Sequence, residues 1–187
     1  MKILVCIKQV PEAAGTLTAC PAGKPGRSMN LADKAALEAA LSLRDDSGGS
    51  ADVFSMGVPS AEAMLRELLQ LGINRAALAT DPAFAGSDTL ATARVISSAA
   101  KYLGGYDLIL TGRRASDGET GHTGPEIAAM LGMRCVTDVI KLKKSENGLL
   151  CERLLEDKKV TLSVPLPAVV TVSGGYLLRP PSIAGMR

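Results

Sequence analysis

The stretch Asp107–Pro125, DLILTGRRASDGETGHTGP, constrains the fold of this chain more than any other. Leu108, Ile109 and Leu110 form the short uninterrupted apolar run of a strand buried on both faces, and Thr111-Gly112 ends it. A loop of Gly, Ser, Thr and Asp follows. Gly124-Pro125 then opens a helix through Glu126 to Leu131, Pro being suited to a first helical turn. A strand, a small-residue loop and a helix make an anion site in open α/β sheets, because unpaired N–H groups and the positive end of the helix dipole favour a phosphate. Gly112, Gly118, Gly121 and Gly124 leave the backbone open, while Ser116, Thr120 and Thr123 add hydroxyl donors. The same composition also suits a turn-rich connection without a ligand, so these residues alone leave both readings open.

The rest of the chain repeats the strand-helix alternation. Ile3 to Val10 reads as a first, central strand stopped by Pro11, and the segment to Met29 has loop composition. Asn30 and Asp33 offer N-capping for a helix with Ala36, Leu37, Ala40, Leu41 and Leu43 on its apolar face. Ala51 to Met56 is a second strand, and Ser60 caps a helix in which Glu62 stands four residues before Arg66. A short strand over Ala76 to Ala79 precedes a helix over Thr89 to Leu103, capped by Ser87 or Asp88. After Leu131 the pattern changes to strands: Cys135 to Val139, then Ile140 to Lys144 and Leu149 to Leu155 around the hairpin signal Asn147-Gly148, then Lys159 to Val164 and Ala168 to Val172.

This order predicts an α/β fold, an open parallel sheet with helices on both faces (Rossmann-like, adenine-nucleotide-hydrolase-like), carrying a C-terminal β-hairpin excursion. Residues 1–187 are read as a single nucleotide-binding domain, since no long linker divides them. Ligands in such sheets sit beyond the carboxyl ends of the strands, where strand order reverses, so the loops after Val10, Met56, Ala79 and Thr111 are the places to look.

Composition excludes several classes. A formal charge of +2 with both signs interspersed gives no basic face for nucleic acid. No apolar run approaches the ~20 residues of a membrane span, and Met1-Lys2 leads straight into a strand, so a cytoplasmic protein without membrane insertion is expected. Cys6, Cys20, Cys135 and Cys151 lie far apart, which suggests neither a zinc site nor a redox dithiol; Cys6 and Cys135 fall inside predicted strands as small hydrophobes. The single His, His122, makes a catalytic triad a poor fit.

MKILVCIKQVPE at the start, NLADKAALEAALSLRD at 30–45, SMGVPSAEAMLRELLQLGINRA at 55–76, FAGSDTLATA at 84–93 and GRRASDGETGHTGPEIAAMLG at 112–132 together resemble the β subunit of electron-transfer flavoproteins, in collinear order over almost the whole chain. The resemblance implies an electron carrier rather than an enzyme: a heterodimer whose α subunit holds a redox-active FAD, with the β subunit clamping it and binding a second nucleotide. That nucleotide is AMP in housekeeping members and a second FAD in members resembling electron-bifurcating systems. Electrons would pass between an acyl-CoA or other flavin dehydrogenase and an acceptor.

The family's nucleotide pocket falls here on Cys6, Asn30, Leu31, Ala32, Asp33, Met56 and the stretch from Gly112 to Thr123, within which Gly112, Arg113, Ala115, Asp117, Gly118, Thr120, Gly121, His122 and Thr123 are carried over. Cys6 and Met56 offer walls for an adenine, Asp33 an acceptor for a ribose hydroxyl, and Gly121 with Thr120 and Thr123 a phosphate cradle. Each residue also has a plain structural reading: Asp33 as a helix cap, Cys6 and Met56 as core, Arg113-Arg114 as solvated. Asp117-Gly118-Glu119-Thr120 with Gly124-Pro125-Glu126, and FAGSDTLAT with Asp88-Thr89, are similar to the anaerobic, often bifurcating branch, which favours FAD over AMP. His122 stands where the family commonly has Gln or Val. The terminal RPPSIAGMR resembles the start of the family's partner-recognition segment, with Ile183 in the place of its anchoring Leu and the subsequent arm absent. The alternative from another class is a solitary adenine-nucleotide module of the universal-stress type. Its phosphate loop, with Gly pairs after the fourth strand, is not reproduced by Gly112 to Gly124, and the Ser-Gly-Gly of an ATP pyrophosphatase should follow the first strand rather than stand at 173–175.

Overall fold

Ile3, Leu4 and Val5 are completely buried, as an apolar run without polar alternation requires of a central strand. The computed structural model, which describes residues 1–11, 26–156 and 158–181, builds on them. In chain order the elements are β1 (Lys2–Cys6), β2 (Gln9–Pro11), β3 (Arg27–Met29), α1 (Leu31–Ser47), β4 (Ser50–Met56), α2 (Ala61–Leu69), β5 (Arg75–Ala79), α3 (Thr89–Tyr102), β6 (Leu108–Gly112), α4 (Thr123–Leu131), β7 (Arg134–Ser145), β8 (Gly148–Leu155), β9 (Lys158–Val164) and β10 (Ala168–Val172). Eight strands form one sheet in the order β5-β4-β1-β6-β10-β7-β8-β9. The pairings from β5 to β7 are parallel, and those of β7 with β8 and β8 with β9 are antiparallel.

Successive residues of β1 feed opposite cores, the consequence of a two-residue strand period. Ile3 and Val5 join α1 and the Leu65–Leu68 stripe of α2. Leu4 and Cys6 join Ala93, Ile96 and Ala100 of α3 and Ile127 of α4. Helices therefore cover both faces, as expected.

Four sequence expectations change. The strand read over Ile3–Val10 is two: β1 ends at Cys6, and Gln9–Pro11 turns out of the sheet to pair antiparallel with β3. The chain leaves because the start of α1 captures it, with the Asn30 amide donating to the Lys8 carbonyl at 2.9 Å and the Lys8 amide donating to Asp33. The hairpin turn is Glu146-Asn147, one residue earlier than read, since Ser145 pairs with Gly148. Ala168–Val172 returns to the parallel part and lies between β6 and β7, completely buried except for a trace at Thr171. The hairpin excursion is thus β7 to β9. Cys135 is exposed on β7 rather than packed, while Cys151 on β8 is buried. Among the described residues no helix is long and apolar enough to cross a membrane.

Candidate functional site

The chain leaves β1 toward β4 on one side, while β6 lies on the other, so strand order reverses between β1 and β6. The crevice beyond the carboxyl ends of these two strands is where an open α/β sheet takes a ligand. Three pieces of chain meet there: residues 7–8 after β1, the start of α1, and the loop 113–122 between β6 and α4.

Asp33 holds them together. It is 5% exposed, and its Oδ2 accepts from the Lys8 amide at 2.7 Å while Oδ1 accepts from the Gly112 amide at 3.1 Å and from Asn30 Nδ2 at 3.0 Å. One carboxylate on the first turn of α1 thereby fixes the ends of both crevice strands. Burial pushes its carboxyl up to about 7, against the pull of those three donors. The carboxylate caps no helix; its oxygens accept from two backbone amides and from the Asn30 side-chain amide. Asn30 completes the strut. It stands at the N-cap position of α1 without a capping bond, because its Nδ2 also donates to the Arg114 carbonyl at 2.8 Å and its Oδ1 accepts from the Ser116 amide at 3.3 Å.

The loop so held is open toward the crevice. Gly112 admits no side chain, since a Cβ would lie 2.8 Å from the carbonyl carbon and Cβ of Ala32. Gly121 adopts a φ of +68°, which an L side chain rarely takes, and nothing lies within 4 Å of where a Gly118 Cβ would stand. At the helix start the amides of Thr123 and Gly124 have no acceptor among the described residues, as the first turn of any helix leaves them. Gly124 seats α4 on the sheet: a Cβ there would meet Thr171 Cγ2 at 2.5 Å.

Two ion pairs flank the loop. Lys8 Nζ is 2.8 Å from Asp117, reaching from the end of β1 across to the loop. Arg113 pairs with Asp138, which sits at a φ of +60° where β7 bends between its parallel and antiparallel halves.

Of the residues named from the sequence, Asn30, Leu31, Ala32, Asp33, Gly112, Arg113, Ala115, Asp117, Gly118, Thr120, Gly121, His122 and Thr123 lie on α1's first turn or the β6–α4 connection, bordering one crevice. Leu31 is 78% exposed at its rim. The Cys6 side chain is buried in the core under α3 and α4, where desolvation, aided by the Asp33 charge, pushes the thiol far up. Met56 is half-buried against the same core. Asp88 caps α3, accepting from the Ala91 amide at 2.7 Å, and Thr89 Oγ1 donates to Glu126 Oε1 at 3.0 Å, tying the starts of α3 and α4 together. Ile183 lies outside the described residues. Lys8 and Asp138 were missed. Lys8 carried a signal, a cation directly after the apolar run of the switch strand, whereas Asp138 becomes visible only once β7 is seen to bend beside Arg113.

Comparison with known proteins places this geometry in a family. Residues 22–186 match the Electron transfer flavoprotein domain. The acryloyl-CoA reductase electron transfer subunit gamma of Anaerotignum propionicum is 38% identical over 96% of this chain and 70% of its own length. Electron transfer flavoprotein subunit beta of Thermoanaerobacterium thermosaccharolyticum is 42% identical over 100% of this chain and 74% of its own. The caffeyl-CoA reductase-Etf complex subunit CarD of Acetobacterium woodii is 39% identical over 91% of this chain and 68% of its own. With a parallel sheet whose switch point carries the Gly-rich loop, and with such identity along nearly its whole length, the chain belongs to the electron transfer flavoprotein family, as a β-subunit relative.

Proposed function

We propose that this chain is the β subunit of a heterodimeric electron-transfer flavoprotein, holding an adenine nucleotide in the crevice between β1 and β6, FAD in preference to AMP. The observation that carries the reading is the strut: Asp33 and Asn30 fix four backbone positions, at Lys8, Gly112, Arg114 and Ser116, around an open, glycine-lined loop whose helix-start amides face no acceptor among the described residues. Such a surface binds phosphate without needing to reorganise. Gly118, Thr120, Gly121 and Thr123 would hold the phosphate, with the first turn of α1 and the exposed Leu31 beside the rest of the nucleotide. When bound, a flavin supplies the one- or two-electron chemistry. The chain's own part is positional, and no residue acts as acid, base or nucleophile.

The α subunit and a flavin dehydrogenase of the acyl-CoA class are the partners this reading implies, in keeping with the CoA reductases named in two relatives. Co-expression with an α subunit, followed by denaturation and identification of the released nucleotides, tests it. Two FAD per heterodimer are expected; one FAD with one AMP would replace FAD by AMP in this crevice, and release of no nucleotide from the β chain would overturn the site. Gly121→Trp is expected to abolish retention of the second nucleotide while the α-subunit flavin stays.

A further inference from the structure

We infer that Lys8 is a phosphate-binding cation of the switch-point crevice, and that Asp117 competes with the ligand's phosphate for its ammonium group. The inference rests on the adenine-nucleotide reading above and adds a residue and a regulation to it.

Lys8 is positioned at both ends. Its backbone is clamped to the start of α1, the amide by Asp33 Oδ2 at 2.7 Å and the carbonyl by the Asn30 amide at 2.9 Å. The side chain cannot follow the chain away from the sheet and instead crosses from β1 to the β6 loop, where Nζ comes within 2.8 Å of both oxygens of Asp117. This is the gap that the topology marks for a ligand. The other cations of the loop are placed differently: Arg113 is engaged by Asp138 on β7, and the stem of Arg114 underlies Gly121.

The Lys8–Asp117 pair is a weak closure. Lys8 keeps half of its side-chain surface exposed and Asp117 about a third, and a pair so wetted adds little to stability. A phosphate carries more charge and more acceptor oxygens than a carboxylate, and lysine is a common point-charge partner for it. Asp117 also stands one residue before Gly118, so its charge opposes any anion in the cradle as long as it remains there. Release of Asp117 by an incoming phosphate would free the loop segment 117–121 to close over it.

The signs are opposite for the two residues, which separates this assignment from a general loosening of the loop. The protein, purified with the partner subunit it carries and stripped of nucleotide, is titrated with AMP, with FAD and with adenosine as probes. Lys8→Met should weaken AMP about tenfold, the scale of one charge-assisted hydrogen bond. Lys8→Arg should restore most of that affinity. Asp117→Asn should strengthen AMP about threefold, and neither variant should change adenosine. Wild-type AMP affinity should fall as salt rises, and less so in Lys8→Met. If AMP binds and Lys8→Met leaves its affinity unchanged, or if Asp117→Asn weakens it, the inference is wrong while the site reading survives. If wild-type protein takes up none of FAD, AMP and adenosine, both fall together; if it takes up FAD alone, the same variants are read on FAD with the same expected signs.

Discussion

The two ends of the parallel strands carry polar clusters built in opposite ways. At the amino end, side chains satisfy one another. Asp52, buried on β4, accepts from Tyr106 Oη at 2.8 Å and from Arg75 Nε and Nη2 at 3.2 and 2.8 Å, and Arg75 also donates to the Leu103 carbonyl. Lys2 packs its ammonium 5.3 Å from the Tyr106 ring centre, and its amide donates to Asp107. Burial, then the hydrogen bond to Asp52, pushes the Tyr106 hydroxyl up to about 12, so it remains a donor. At the carboxyl end, by contrast, Asp33 and Asn30 engage the backbone and leave the loop's outer surface uncommitted. A cluster that closes on itself holds strands together, whereas one that holds main chain leaves donors for something else.

The largest test of that contrast lies at the amino end. Asp52→Ala strips the buried Tyr106 phenol and the half-exposed Arg75 guanidinium of their shared acceptor and should cost about 2–3 kcal/mol, the scale for leaving a buried hydroxyl unsatisfied plus a partly solvated ion-pair partner. Urea denaturation measures it. Nucleotide affinity should be unchanged, because the cluster is a full strand length from the crevice. A variant that loses stability and nucleotide in proportion would show that the two ends are not separate devices.

Asp33→Asn should cost less stability, about 1–2 kcal/mol, because one carboxylate oxygen is replaced by a donor facing N–H donors. It should cost nucleotide affinity disproportionately. It also has a pH signature. The carboxyl titrates near 7 in the fold against 3.8 in the unfolded chain, so the folded state holds the extra proton between those values. The contribution of this group to stability therefore falls as pH rises from about 4 to about 7 and is level above that. Melting temperatures of wild type and Asp33→Asn across this window should diverge with that sign. Parallel curves would mean that Asp33 is ionised throughout and that its three donors outweigh burial.

Much of this architecture was legible in the sequence, and the exceptions share a cause. Leu108–Leu110, Ala51–Met56 and the helical stripes announce themselves through local periodicity, and the glycines of the β6 loop mark the candidate site without reference to any other part of the chain. What escaped depends on distant partners. The break at Ile7-Lys8 is invisible in ILVCIKQV, because it is made by Asn30 and Asp33 more than twenty residues on. Ala168–Val172 reads as a strand, but only β6 and β7 determine that it slots between them. Asp33 was picked as a site residue, yet its role as a strut requires knowing that Lys8 and Gly112 arrive on either side of it.

The smallest expected effect distinguishes the two buried carboxylates of α1, Asp33 and Glu38, from each other. Glu38 lies about one and a half turns beyond Asp33 and faces the segment after β10 instead of the crevice. It accepts from the Arg179 amide at 3.0 Å, from Arg179 Nε at 3.0 Å and Nη2 at 2.7 Å, and from Ser42 Oγ at 3.1 Å. Burial opposes its charge, but the Arg179 hydrogen bonds prevail and hold the carboxyl below its ordinary value, the reverse of the outcome at Asp33, whose donors are all uncharged N–H groups. The sign of the linkage reverses accordingly. Stability from Glu38 is fully present above the ordinary carboxylate value and is lost as pH falls through the lower folded one. Glu38→Gln should thus cost about 1 kcal/mol at neutral pH and progressively less in acid, while leaving nucleotide affinity alone. Hydrogen exchange at the Arg179 amide reads the local consequence: faster exchange in Glu38→Gln at neutral pH is expected, and unchanged protection would mean that packing of Tyr176 and Leu178 against the core, not the ion pair, fixes this segment on α1.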